Sequence, residues 1–221
     1  MTDLERYLKC TEIIDCDNET IKNQAQLVVK DLATDKEKAV ALYYFVRDQI
    51  KHNPYAPALR GEDHKATLTL ERGNGQCQHK SALLVALCRA AGIPARVGYV
   101  DVRDHMLSEK FRQMVGGDNL LIQHGYAEIY VDGRWLHVSP AYDLATCEKA
   151  GFMPVEFDGA NDAKDSSLNK EGKPHIDHVK DHGTFEDFPW DFIESYRMEW
   201  VIRIGREWNE YTENVRSHNV E

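Results

Sequence analysis

The chemistry in this chain centres on a thiol, Cys77, which follows Gly73-Asn74-Gly75-Gln76 and opens an apolar helical run. A thiol at a helix N-terminus meets unpaired amide N–H groups and the positive end of the helix dipole, both of which favour the thiolate. Gly73 and Gly75 can take backbone angles closed to other residues, so the chain turns sharply into the helix and leaves room for a substrate. The same local pattern also suits a small residue that merely fills a tight turn. His124, 47 residues on, offers an imidazole to pair with the thiol. A lone histidine in a strand is more often a packing residue, so this spacing by itself carries little.

A third group that orients the imidazole would make the pair a triad. Asp132-Gly133 is a strong two-residue turn signal between residues 120–131 and 134–139, which read as a hairpin. With Val131 opposite Arg134, His124 falls opposite Ala141, and Ser139 and Asp143 become its diagonal neighbours, about 7–8 Å away between backbones. Pro140 weakens the register beyond Ser139. Asp143 is therefore the acid expected to fix the imidazole tautomer, with Ser139 a weaker hydrogen-bonding substitute.

Several elements must position these groups. Thr34 with Glu37 is a capping box ahead of Ala39, Leu42, Tyr43, Val46 and Ile50, at helical spacing. Pro54 and Pro57 end that helix, and residues 53–75 read as irregular. Residues 78–91 form the best-defined helix, stopped by Gly92 and Pro94, and Ala95 to Val102 reads as a strand. Residues 158–183 are rich in Asp, Asn, Lys, Gly and Ser and read as a long surface loop, lid or ordered tail. Phe192, Tyr196, Trp200 and Ile204 recur every four residues after Pro189, the mark of an amphipathic helix.

The run Gly73-Asn-Gly-Gln-Cys77-Gln-His-Lys-Ser-Ala-Leu-Leu-Val-Ala-Leu-Cys-Arg-Ala-Ala-Gly-Ile-Pro-Ala-Arg96 resembles the Cys segment of the transglutaminase-like superfamily. His124-Gly-Tyr-Ala-Glu-Ile-Tyr-Val-Asp-Gly-Arg-Trp135 resembles its His segment. The resemblance covers roughly residues 35–145 and implies an α+β, papain-related core, with the nucleophilic Cys at a helix N-terminus packed on an antiparallel β-sheet. It also implies Cys77 and His124 as catalytic residues in acyl transfer from a carboxamide or peptide carbonyl. The family usually places an aspartate immediately before the Pro that ends the hairpin, and here that position is Ser139. Three readings stay open: Asp143 takes over, Ser139 works with a bound water, or activity has been lost and a peptide- or ligand-binding module remains. Asn53 and Tyr55 are the side chains considered for the oxyanion hole beside the Cys77 N–H.

Length and composition agree with this class. The chain has 221 residues, favouring one domain with a core at about 35–145 and a C-terminal loop-helix extension over 146–221. A formal net charge of −10 disfavours a general nucleic-acid or anionic-membrane binder, and no apolar run is long enough to span a bilayer. The opening MTDLERYLKC lacks the pattern of a secretory signal, which predicts a cytoplasmic protein. Cys10, Cys16, Cys77, Cys88 and Cys147 are odd in number and irregularly spaced, arguing against a disulfide framework.

The bland readings prevail elsewhere. His175, His178 and His182 could share one face of a helix around a metal, but read better as part of a solvated loop. Calcium finds no EF-hand-like loop. Arg96 and Arg103 with Asp101 and Asp104 read as surface ion pairs, the tryptophans as core or interface aromatics, and Cys88 as a buried small residue. The sequence thus points to a cofactor-independent amidase or peptidase, preferred over a cross-linking enzyme, acting on a peptide or small amide. No metal, nucleic-acid or membrane partner is expected.

Overall fold

The Thr34 hydroxyl accepts the Glu37 N–H, while the Glu37 carboxylate accepts the Thr34 N–H, closing the capping box that the sequence announces. The computed structural model describes residues 4–114 and 117–196. Within them the order is a 3-10 turn at Glu5–Leu8, α1 (Glu19–Val28), α2 (Asp35–Gln49), β1 (Lys51–His52), a second 3-10 turn at Gly61–His64, α3 (Ala66–Arg72) and β2 (Asn74–Gly75). Then follow α4 (Cys77–Ala90), β3 (Ala95–Asp104), α5 (Glu109–Met114), β4 (Leu120–Val131), β5 (Arg134–Val138), α6 (Leu144–Ala150) and β6 (Ile176–Phe185).

Residues 82–88 of α4 are apolar without a break, and such a run must be enclosed on every side. Residues His79 to Arg89 are all buried, with α1, α2 and α3 on one side and β3 and β4 on the other. The main core gathers Leu83, Leu84 and Leu87 of α4 with Leu42, Tyr43 and Val46 of α2, and with Val97, Tyr99, Ala127, Ile129 and Val131 of the sheet. The sheet is antiparallel throughout, in the order β5-β4-β3-β6. Its β4–β5 hairpin has the expected register, Val131 facing Arg134, and Asp132 and Gly133 both take positive φ as a two-residue turn of this kind requires. A smaller cluster of Val100, Val102, Tyr126 and Ile176 lies apart from the main core.

Three expectations need correction. Residues 53–75 are not simply irregular: they hold a 3-10 turn, the seven-residue α3 ended by Gly73 at φ 66°, and the strand pairing Lys51↔Asn74 and His52↔Gly75. The stretch 158–183 is not all surface loop. From Ile176 it becomes β6, which covers the edge of β3, with Val97 opposite Phe185 and Asp104 opposite Ile176. Most of β6 is exposed or half-buried, and such an edge strand keeps polar residues that mask its period. Finally, Cys10 and Cys16 form a disulfide, which the irregular spacing had argued against.

The C-terminal helical expectation is met as far as residue 196: residues 190–196 are helical, and Phe192 stacks on Phe185 and meets Tyr196. Trp200, Ile204 and Trp208 lie outside the described residues. Among the described residues, no helix is long and apolar enough to cross a membrane.

Candidate active site

Cys77 is the first residue of α4, and the loop before it is pinned from two directions. The Gln76 amide donates to the carbonyls of Pro54 and Ala56 at 3.2 and 3.0 Å. The Gln76 N–H donates to His79 Nδ1 at 3.3 Å, which leaves the His79 Nε2–H to donate to Pro57 O at 2.8 Å. Of the two glycines read as turn-makers, only Gly73 needs a left-handed backbone. Gly75 is required for space, since a Cβ there would stand 2.6 Å from the His79 Cβ.

The first turn of α4 lies flush against β4 because Gly125 has no side chain: a Cβ on it would come within 2.8 Å of the Gln78 Cα. The β4–β5 ladder stops at Ala127↔Val138. Two residues further on, the Gly125 N–H donates to Cys77 Sγ, at 3.4 Å, rather than to a strand carbonyl. Just before His124, Gln123 takes a left-handed φ of 58° and its N–H donates to Asp101 Oδ1. Its carbonyl accepts the Gln78 side chain at 2.9 Å, a second tie between β4 and α4.

His124 thus stands beside Cys77 and hydrogen-bonds with its thiol. Its Nε2 lies 3.2 Å from Asp165 Oδ2, so Nδ1 is the nitrogen that faces Sγ. The His124 and Asp165 side chains are only 5% and 4% exposed, whereas Cys77 is half-buried and reachable.

The carboxylate beside the imidazole is Asp165, not Asp143. Asp143 is not carried to the imidazole because the strand ends too early: Ser139 N–H donates to Ala163 O, and the chain has left the ladder before residues 141–143. Asp143 instead caps α6, accepting Thr146 N–H at 2.9 Å, the Thr146 hydroxyl at 2.8 Å and the His52 N–H at 2.7 Å. The bridge Val138↔Ala163 draws the 162–165 segment alongside β5 and delivers Asp165 to the imidazole. Ser139, at the position of the family's aspartate, donates its hydroxyl to that same Asp165 Oδ2 at 2.7 Å. No local signal distinguishes Asp165 among the many aspartates of its polar stretch.

The electrostatics follow from this enclosure. Burial pushes the Cys77 thiol up, but the His124 charge and hydrogen bond, with the N–H groups of Gly125 and Gln78, hold it below its ordinary value. Burial pulls the imidazole of His124 down, yet the Cys77 thiolate and Asp165 hold it well above its ordinary value. Burial pushes Asp165 up, but His124, Ser139 and His137 outweigh it and keep the carboxylate at about 2. A thiolate–imidazolium pair steadied by a carboxylate is the arrangement that activates a sulfur nucleophile.

The other candidates go elsewhere. Asn53 donates to Asn74, and Tyr55 is 58% exposed against Phe111. Arg96 pairs with Glu128 at 2.6 Å and lies over Trp135. His182 donates to Asp101, His178 stacks near His137, and His175 packs on Phe152. Burial raises the thiols of Cys88 and Cys147, the latter to about 11, so neither matches the setting of Cys77.

The transglutaminase-like superfamily model matches residues 22–140, more than half of the chain. The chain belongs to that superfamily. Among solved structures it is similar to a candidate cysteine protease from Cytophaga hutchinsonii, at 15% identity and a TM-score of 0.51, over 81% of this chain and 56% of that one. It is also similar to a candidate protease from Parabacteroides distasonis, at 18% identity and a TM-score of 0.39, over 58% of this chain and 26% of that one. The periplasmic domain of TgpA from Pseudomonas aeruginosa matches at 25% identity and a TM-score of 0.38, over 56% of this chain and 42% of that one. The transglutaminase-like chain thus spans less than two thirds of each of these proteins. No curated protein matches it.

Proposed function

We propose that this transglutaminase-like domain is a cysteine amidase or peptidase that cleaves an amide bond through Cys77, His124 and Asp165. The observation that carries this reading is the Cys77–His124 pair with Asp165 on the far nitrogen, an order of contacts that fixes the imidazole tautomer and favours the thiolate. The Cys77 thiolate attacks the carbonyl carbon, and the oxyanion forms at the N-terminus of α4, where the N–H groups of the first turn have no helical carbonyl to bind. The His124 imidazolium gives its proton to the departing amine as the C–N bond breaks. Water then attacks the thioester with His124 taking its proton, and the carboxylic acid leaves as the thiol is restored.

Hydrolysis is preferred over transfer to a second amine because water is abundant and, among the described residues, no feature of the site specifies an amine acceptor. Loss of the acid was the main ground for a non-catalytic module, and Asp165 beside the imidazole weighs against it.

The test is the pH dependence of Cys77 alkylation, followed site by site by mass spectrometry, together with hydrolysis of a fluorogenic peptide library. The expected inflection lies well below the free-thiol value of about 8.5 and moves up in His124→Ala, with peptide cleavage abolished in Cys77→Ala. An ordinary or unreactive thiol in the native protein would turn the reading to a binding module.

A further inference from the structure

Behind Asp165 lies a buried acid–base pair that this mechanism leaves unused. From residue 165 to residue 176 the chain folds back as a narrow ribbon: Leu168 bridges Pro174 antiparallel, His175 N–H donates to Ser167 O at 2.8 Å, and Ile176 N–H donates to Ser166 O at 3.3 Å. This fold-back brings His175 into the neighbourhood of Asp165, whose charge acts on both His175 and Asp104. On its other side His175 is fastened to the end of β3. Its carbonyl accepts the His105 N–H at 2.9 Å, and its Nε2 stands 3.9 Å from Asp104 Oδ1, both side chains being 2% exposed. The ring stacks on Phe152, with centroids 4.1 Å apart.

Among the described residues neither ring nitrogen of His175 has a hydrogen-bond partner, and the same is true of Asp165 Oδ1. Buried polar atoms are paired as a rule, and orphans in one buried cluster call for a shared partner such as an ordered water. We propose that His175 and Asp104 are positioning residues for Asp165: His175 donates from Nδ1 to an ordered water that in turn donates to Asp165 Oδ1, while Asp104 flanks the ring from behind. The inference rests on Cys77, His124 and Asp165 working as a triad.

The proton inventory fits. Burial raises the carboxyl of Asp104 and lowers the imidazole of His175, so both favour their neutral forms. A neutral imidazole carries one ring proton, and with that proton on Nδ1 the ring can donate toward Asp165 while Nε2 faces Asp104 across 3.9 Å. The titratable groups that face this pair are Asp165, His124, His105 and the Tyr142 phenol, and the fixed donor on Asp104 is the Met106 N–H at 2.8 Å. Asp165 then has both oxygens held, Oδ2 by Ser139 and His124 and Oδ1 by His175 through the water, and cannot rotate away from the imidazole.

The test uses His175→Phe, which keeps a ring against Phe152, with His175→Gln as the donor-restoring variant and Asp104→Ala as an independent second route. The readout is the acid midpoint of Cys77 alkylation by iodoacetamide, with thermal unfolding measured in parallel. The expected result is a midpoint about half a pH unit higher in His175→Phe and in Asp104→Ala, equivalent to roughly threefold slower alkylation on the acid limb. His175→Gln should recover part of the shift. A merely structural role would lower the unfolding temperature and leave the midpoint in place, which overturns the proposal. If His175→Phe fails to fold, an unmoved midpoint in Asp104→Ala does the same. An ordinary thiol profile in the native protein overturns the catalytic reading and this inference together, whereas an activated native profile that both variants preserve overturns this inference alone.

Discussion

Asp165 keeps its charge in a nearly closed site because the imidazolium of His124 and the hydroxyl of Ser139 both point at the same oxygen. Asp143 is equally buried, yet its lone pairs are spent on two backbone N–H groups and a hydroxyl at the start of α6. The two carboxylates should separate cleanly in experiment. Asp165→Asn should lower kcat/KM about 10- to 100-fold with little change in unfolding by urea, since the amide can still face the ring but cannot balance its charge. Asp143→Ala should cost about 1 kcal/mol or more through the lost cap, with the Cys77 alkylation profile of the folded protein unchanged. The reverse pattern would return the role to Asp143.

Gly125 and the loop before α4 set the alignment at the scale of elements. In Gly125→Ala the new Cβ would meet the Gln78 backbone, so α4 must move off β4, at a cost of roughly 1–3 kcal/mol. The Cys77 alkylation inflection should rise toward that of a free thiol; an unshifted inflection would show that the close approach does not align Sγ with the imidazole. The loop itself is held by stacked imidazoles, His64 on His79 with centroids 4.3 Å apart. Burial pulls His64 to about 4 and His79 to about 3 from an ordinary 6.5. The unfolded chain then binds more protons than the folded one below pH 6.5, so the stability these residues contribute is complete above that value and is lost as pH falls toward 4. Urea midpoints measured from pH 7 to pH 4 should fall steeply, and less so in His79→Gln. Parallel curves for the two proteins would remove the stacked pair as the cause.

For the whole molecule, the disulfide and the last third of the chain matter most. Of five cysteines, Cys10 and Cys16 are bonded while Cys77, Cys88 and Cys147 are free. Denatured protein isolated without reductant should therefore show three titratable thiols, and five after reduction; five without reductant would mean that the pair stays open where the protein is made. A persistent bond would favour an oxidising compartment over the cytoplasm that the sequence suggested. Residues 146–196 supply β6, which covers β3, and the acid beside His124, so they belong to the site as much as to the fold. The sequence by itself determined α2, α4, β3 and the β4–β5 hairpin, because capping, apolar period and turn chemistry act between residues close in the chain, whereas Cys77 and His124 stood out only through the resemblance of their segments to the superfamily. Tertiary structure alone decided which carboxylate lies beside His124 and how β6 pairs. Asp165 reaches His124 from 41 residues away by way of a single bridge to the end of β5, and β6 is a polar edge strand whose only strong instruction is the free edge of β3. Such long-range pairings leave no local period to read, since the groups that satisfy them are brought together only when the chain closes.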